Sequence, residues 1–143
     1  MDQNTYTLID LPRVADPRGN LSFIQQSQTL PFAIQRCYWI YDVPGGEVRH
    51  GRALRRTTEL IVALSGSFDV MIDDGHGQSH TVHLCRSYQG LLLSPMCWRE
   101  IVDFSTNSVA LVLASTVYDA SDYIRDYDEF IKESTCAHTP HQI

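Results

Sequence analysis

The sequence predicts an all-β sandwich or small barrel closed by one C-terminal α-helix. Three observations carry this. About nine short strand-like runs recur at roughly 8–12 residue spacing. Gly-, Pro- and Asx-rich turn signals separate them. The hydrophobic period then switches once, near the C-terminus, from two residues to about 3.6. At 143 residues, the chain has the length of one domain and can enclose its own core. No internal repeat or linker divides it.

The elements follow in order. Thr5–Leu11 is a short first run. Asp16-Pro17-Arg18-Gly19 is a turn, because Pro presets φ and Gly permits positive φ. In Asn20–Gln26, Leu21 and Phe23 alternate with polar neighbours. Ala33–Val43 is rich in aromatic and β-branched residues, and Pro44-Gly45-Gly46 breaks it. On its strand, Arg36, Tyr38 and Ile40 share one face, and Cys37, Trp39 and Tyr41 share the other. Glu59–Leu64 is a continuous apolar run after its first residue, the pattern of a strand buried on both faces. Beyond Ser65-Gly66-Ser67, Phe68, Val70 and Ile72 alternate with Asp69, Met71 and Asp73. Asp74-Gly75 opens a hairpin with its return strand at Ser79–Leu84. Gly90–Leu93, Trp98–Phe104 and Val109–Ser115 complete the β series. Ser121–Glu133 is expected to be the helix. Ser121 is its N-cap, and Tyr123, Tyr127, Phe130 and Ile131 form its apolar face. Arg125–Glu129 and Asp128–Lys132 are i,i+4 pairs on the other face. The remainder, STCAHTPHQI, lacks pattern and is expected to be loose.

Composition narrows the function classes. The net charge is −6, which argues against nucleic-acid binding, since that needs an electropositive surface. No apolar run approaches the roughly 20 residues of a membrane span. The N-terminus lacks the pattern of a secretory signal, so a cytoplasmic location is expected. Cys37, Cys85, Cys97 and Cys136 are widely spaced and are expected to be buried thiols, neither disulfides nor a zinc site. Of the 11 basic residues, all but Lys132 are arginines, and Arg49, Arg52, Arg55 and Arg56 fall in one stretch. Arg binds phosphate and carboxylate in a planar, bidentate way. The stretch is either a small-anion site or a solvated charged loop.

The spacing between residues 46 and 100 matches a double-stranded β-helix of the cupin type, a jelly-roll barrel. Its first landmark runs from Gly46 through Arg52-Ala53-Leu54 and Glu59 to Gly66. The second is partial, with Gly90, Pro95, Cys97 and Glu100. In metal-binding cupins, positions 52, 54 and 100 would be histidines. Here they are Arg, Leu and Glu. A guanidinium cannot ligate a cation and Leu has no donor atom, so no metal and no other cofactor is expected.

Further blocks stand out at residues 16–21 (DPRGNL), 36–42 (RCYWIYD), 64–67 (LSGS) with 73–75 (DDG), 98–100 (WRE) with 103–105 (DFS), 112–115 (VLAS) and 118–130 (YDASDYIRDYDEF). On these blocks the sequence resembles the WxcM-like sugar 3,4-ketoisomerases, cupin proteins of surface-polysaccharide and deoxysugar biosynthesis that act on TDP-4-keto-6-deoxyglucose. The resemblance spans about residues 8–133. It implies a homodimeric, metal-independent barrel whose partner is a TDP-linked 4-keto-6-deoxyhexose held among Arg and aromatic residues. It also implies that a His-x-His pair moves protons between C3 and C4. That pair falls on Arg52 and Leu54, neither of which can act as a base.

Three residues are candidate substitutes for the missing acid/base pair. His50 lies two residues before the first position and is otherwise a surface turn residue. Glu59 and Glu100 sit at ligand-like spacings; each is otherwise a carboxylate paired with an Arg. For ligand binding the candidates are Arg18, Arg36, Tyr38, Tyr41, Arg49, Arg52, Trp98 and Arg99. A buried Arg36 needs an anionic partner, either a ligand diphosphate or a structural Asp. Trp98 either stacks on thymine or packs the barrel. Arg49, Arg18 and Arg99 fall where the resembling enzymes place site residues. His76, His80 and His83 surround the Asp-Gly hairpin and are expected at the surface. Two function classes therefore stand: an isomerase with substituted acid/base groups, or a nucleotide-sugar-binding module without turnover.

Overall fold

The computed structural model describes residues 5–26 and 29–137. Its strands are β1 (Tyr6–Asp10), β2 (Arg13–Val14), β3 (Leu21–Ser22), β4 (Arg36–Tyr41), β5 (Arg49–Leu54), β6 (Glu59–Ser65), β7 (Phe68–Asp73), β8 (Ser79–Leu84), β9 (Gln89–Leu93), β10 (Trp98–Val102), β11 (Val109–Ala114) and β12 (Tyr123–Ile124), followed by helix α1 (Tyr127–Ala137). Two five-stranded sheets face one another, β1-β9-β6-β11-β4 and β12-β5-β10-β7-β8, with β2 and β3 paired apart. Among these strands every ladder is antiparallel. This is the predicted jelly-roll with one C-terminal helix.

Alternation puts three apolar layers in place. Between the sheets, Ile61, Ala63, Leu91, Leu93, Ala110 and Val112 meet Phe68, Val70, Ile72, Leu84, Cys97 and Ile101. Outside the first sheet, Leu60, Val62 and Leu113 are covered by Leu11, Leu30 and partly buried Ile24, Phe32 and Ile34. Outside the second, Ala53, Trp98 and Ile124 are covered by Phe130 of α1. The continuous apolar run of β6 is explained by this arrangement: it is covered on both faces through Ala63, and only Leu64 emerges. Full burial of one Leu-sized side chain contributes roughly 1.5–3 kcal/mol, so these layers are the source of the fold's stability.

Four expectations are corrected. β5 carries an Arg-His-Gly-Arg sequence with no apolar alternation, yet it pairs with β10 through a bulge between Arg49 and Arg52. Residues 121–133 are not one helix. Ala120–Asp122 is a 3-10 turn capped by Asp119, whose side chain accepts from the Ser121 amide at 3.0 Å, so Ser121 does not cap α1. Tyr123 and Ile124 then pair with Leu54 and Ala53 of β5, so Arg125 precedes α1 and forms no i,i+4 pair within it. The cross-strand pairing outweighs local helix propensity. The helix instead runs on to Ala137, into the stretch expected to be loose, because Ser134 packs at Gly75 of the β7–β8 turn; residues 138–143 lie outside the described residues. Finally, of the four thiols only Cys97 is buried. Cys37, Cys85 and Cys136 are exposed, since β4 turns Cys37 outward and Cys85 follows β8.

Gly51 shows how closely α1 is seated. A Cβ at this position would collide with the Trp98 indole, which itself packs on Phe130 with centroids 5.6 Å apart. Gly51→Ala is therefore expected to displace Trp98 and loosen α1, at a cost of about 1–3 kcal/mol. Urea unfolding of the two proteins measures it, and equal midpoints would contradict this packing account.

Candidate functional site

Four strands aim polar side chains into the same end of the barrel. β6 contributes Glu59, with no exposure, and β10 contributes Arg99 at 2%. Arg99 Nη1 donates to Glu59 Oε1 at 2.5 Å, and Arg99 Nε donates to the Cys97 carbonyl at 3.1 Å. The Tyr38 hydroxyl, from β4, donates to Glu59 Oε2 at 2.7 Å. Arg52 Nη2, from β5, donates to the Tyr38 oxygen at 2.8 Å. The result is a continuous chain, Arg52–Tyr38–Glu59–Arg99, spanning both sheets. Burial, and next the Glu59 charge, push the Tyr38 phenol well above its usual range. For Arg52 burial opposes the charge, yet Tyr38 and Glu59 outweigh it and raise the pKa.

Arg36 completes the cup. It donates from Nη1 to the Tyr123 hydroxyl at 3.0 Å. The Tyr123 ring has the guanidinium carbons of Arg36, Arg52 and Arg125 at 5.9, 5.9 and 4.8 Å from its centroid. Tyr118 stacks on Tyr123 with centroids 5.6 Å apart. Buried guanidinium nitrogens remain without a protein partner: Arg36 Nε and Nη2, Arg52 Nε and Arg99 Nη2. Arg99 is paired with the Glu59 carboxylate, while Arg36 and Arg52 are bonded to tyrosine hydroxyls. Buried cations need an anion or polar partner, and the planar Arg fork matches phosphate and carboxylate oxygens. A pocket of about 490 Å³ opens beside them, lined by Tyr41, Asp42, Glu47, Arg49, Arg52 and Arg125 among others.

The structure therefore gathers Arg36, Tyr38, Arg52, Glu59 and Arg99, and places Tyr41 and Arg49 on the adjoining rim. It does not bring in three other residues. Arg18 is paired with Asp16 in an exposed turn at 2.9 Å. Trp98 lies on the outer face of β10, between Tyr127 and Phe130. Glu100 lines a separate pocket with Trp98 and Tyr127. His50 belongs to β5, but its side chain falls outside the described residues. His76, His80 and His83 are exposed, and His83 Nδ1 lies 2.6 Å from Asp69. Leu54 is fully buried. Among the described residues no three His, Cys, Asp or Glu side chains are grouped to hold a metal ion.

The Arg stretch divides its labour. Arg52 enters the cup and Arg49 its rim, while Arg55 and Arg56 hold the C-terminal segment. Arg55 binds Glu133 through two bonds of 2.9 and 2.7 Å and reaches the Ser121 carbonyl at 2.5 Å. The buried Asp122 carboxylate accepts from the Arg56 amide at 2.7 Å and from the Thr57 hydroxyl. These bonds deliver Tyr123. Sequence reasoning missed Tyr118, Tyr123 and Arg125 as site residues because it assigned Tyr123 and Arg125 to a helix. The polar Asp119-x-Ser121-Asp122 group, which caps rather than propagates helix, was the available signal.

The comparisons with known proteins agree with this geometry. The family described as FdtA, WxcM-like, C-terminal, matches residues 4–135. The chain belongs to the FdtA family. A TDP-4-oxo-6-deoxy-alpha-D-glucose-3,4-oxoisomerase of Aneurinibacillus thermoaerophilus is 39% identical over 125 residues, covering 87% of this chain and 89% of that one. QdtA, a sugar 3,4-ketoisomerase from Thermoanaerobacterium thermosaccharolyticum solved with TDP, superposes with a TM-score of 0.91 at 32% identity, over 95% of this chain and 98% of its own. WlaRB, a TDP-quinovose 3,4-ketoisomerase from Campylobacter jejuni, gives 0.86 at 34% identity, over 91% and 99%. The jelly-roll of this FdtA-family chain is thus that of TDP-sugar 3,4-ketoisomerases. None of its described helices is long and apolar enough to cross a membrane.

Two outcomes follow from the ion pairs. Glu59→Ala leaves Arg99 buried without its carboxylate and is expected to cost about 3–5 kcal/mol, measured by urea unfolding; a change below 1 kcal/mol would mean that Arg99 is solvated. Arg55 holds the Glu133 carboxyl below its ordinary value of 4.5. A depressed carboxylate contributes stability above its unfolded pKa and loses it as pH falls through the folded one. Arg55→Met should therefore be less stable than wild type at pH 6, with the gap closing toward pH 3. A gap that widens on acidification would contradict the pairing.

Proposed function

We propose that this chain is a TDP-sugar 3,4-ketoisomerase that takes a TDP-linked 4-keto-6-deoxyhexose into the barrel. The observation that carries the reading is the excess of buried, unpartnered guanidinium nitrogens over carboxylates at the barrel mouth. A diphosphate supplies the missing negative charge, with Arg36, Arg49 and Arg52 as its partners, and Tyr41 on the rim offers a stacking face to the base. The hexose then lies deeper, against Tyr38. Isomerisation moves one proton from C3 to C4 and one from O3 to O4, and consumes no oxidant. Tyr38, hydrogen-bonded to Glu59, is the group assigned to the carbon proton. It takes the C3 proton as its own passes to Glu59, and the C–H electron pair becomes the C3=C4 bond of an enediolate whose O4 charge faces Arg52. A proton passes from O3 to O4. The return transfer from Glu59 through Tyr38 puts a proton on C4, and C3=O forms. We assign the active form to a homodimer in the cytoplasm. The exposed Trp39 and Leu64 on the outer face of the first sheet are apolar surface suited to a second copy, and light scattering of the purified chain tests this assembly.

A second reading is favoured by two residues. Arg52 and Leu54 stand where the resemblance implies imidazoles, and neither exchanges a proton near neutrality. On that reading the chain is a binding module that holds the same ligand without turnover.

One experiment separates them. The protein is mixed with TDP-4-keto-6-deoxyglucose in deuterated water, and NMR follows the C3 position. Deuterium entering C3, with a TDP-induced rise in Tm, supports the isomerase. A TDP-induced rise in Tm without exchange supports the binding module and overturns the isomerase. No thermal shift with either TDP or its sugar overturns both.

A further inference from the structure

The Tyr123 ring is the one aromatic surface on which three guanidiniums of the described site meet: Arg36, Arg52 and Arg125, at 5.9, 5.9 and 4.8 Å. They come from different parts of the chain. Arg36 lies on an edge strand of the first sheet, Arg52 on β5 of the second, and Arg125 just beyond β12. Like charges brought together repel, and each would separate into solvent if nothing held it. Two features of Tyr123 oppose this. Its ring face attracts cations, and its hydroxyl accepts from Arg36 Nη1 at 3.0 Å. Tyr123 is itself fixed from behind. It pairs with Leu54, its carbonyl lies 3.3 Å from Arg55 Nη1, and the preceding Asp122 is buried and bonded to Arg56 and Thr57. The ring is therefore a fixed post on which the three guanidiniums are arranged.

We propose that Tyr123 is a positioning residue for the diphosphate: it holds Arg36, Arg52 and Arg125 as one clamp that closes on the two phosphoryl groups of a nucleoside diphosphate. The inference rests on the nucleotide-sugar reading above and adds to it the residue that sets affinity for the diphosphate. It makes β12 and the turn before it, not the barrel alone, part of the ligand site. The effect of Tyr123 is specific in kind: it acts on the charged part of the ligand and leaves recognition of the nucleoside untouched. Its conservative replacement keeps the ring, and with it most of the clamp.

Titration calorimetry tests this with three probes, TDP, inorganic pyrophosphate and thymidine, on the full chain and on Tyr123→Phe and Tyr123→Leu. Tyr123→Leu is expected to lose about tenfold in affinity for TDP and for pyrophosphate and nothing for thymidine. Tyr123→Phe, which retains the cation–ring contacts and lacks only the hydroxyl, is expected to lose about threefold. The dependence of TDP affinity on salt should flatten in Tyr123→Leu, since fewer charges converge on the ligand. A merely structural role would weaken thymidine and TDP alike, and that result overturns the proposal, as does wild-type affinity for TDP in Tyr123→Leu. Wild-type binding of pyrophosphate without TDP would overturn the nucleotide-sugar reading while leaving the clamp standing. Binding of neither overturns both. If Tyr123→Leu unfolds, Tyr123→Phe and Arg125→Gln carry the test: each should lower pyrophosphate affinity, and unchanged affinity in both overturns the clamp.

Discussion

A carboxylate with no access to water holds the polar end of this barrel together. Glu59 binds Arg99 through one oxygen and Tyr38 through the other, and Tyr38 in turn binds Arg52. Removing a charge from water costs several kcal/mol per ion, and an ion pair recovers this only when its remaining donors and acceptors are satisfied. Glu59 meets the condition, with both oxygens engaged. The arginines do not, because nitrogens of Arg36, Arg52 and Arg99 remain unpartnered. The fold therefore tolerates a local positive excess, in a protein whose overall charge is −6. Stability alone would favour an apolar plug there. On the proposed reading, the excess is a surface to which an anion supplies the compensating charge.

The same constraint explains why the C-terminal segment is so heavily anchored. A ring that stands among three cations has to be kept in place by bonds that do not depend on the ligand. Arg55 and Arg56 provide them, by gripping Glu133, the Ser121 carbonyl and Asp122. Arg52 thus faces the polar cup and the exposed Arg49 its rim, while Arg55 and Arg56 face back toward the chain. Arg55 and Arg56 thus fix Tyr123, and through its ring the place of Arg52.

How far the sequence spoke for itself depended on whether a signal was local. The hairpin at Asp74-Gly75 and the return strand Ser79–Leu84 were legible because turn chemistry and period-two alternation are properties of neighbouring residues. The inward face of Arg36, Tyr38 and Ile40 was legible for the same reason. β5 was not, because its sequence lacks alternation and its strand conformation is imposed by β10 on one side and β12 on the other. Tyr123 was misread because its helical spacing with Tyr127, Phe130 and Ile131 is real in the sequence, while the bonds that pull it into a strand come from residues more than 60 positions away. For Trp98 the sequence left stacking on a base and packing in the barrel both open, and it packs outward beneath α1 instead; sheet polarity at that point is set by which face the helix covers.

Arg52 and Leu54, which stand where the resemblance implies imidazoles, decide what the cup can do. An imidazole near neutral pKa carries charge part of the time and shuttles protons. A guanidinium carries its charge always and moves none. Arg52 is therefore a permanent electrostatic group, and Leu54, two residues on, is apolar and fully buried. Lower polarity around a fixed charge strengthens its pull on an anion. On the proposed isomerase reading, the proton chemistry falls to groups already bonded to one another, Tyr38 and Glu59, whose hydrogen bond orients the phenol. Burial and the adjacent carboxylate keep that phenol protonated, so it enters any reaction as a donor, and it can accept only if Glu59 takes its proton in the same step. Coupling of these two residues is thus a requirement of the geometry for any proton transfer through Tyr38 in this barrel.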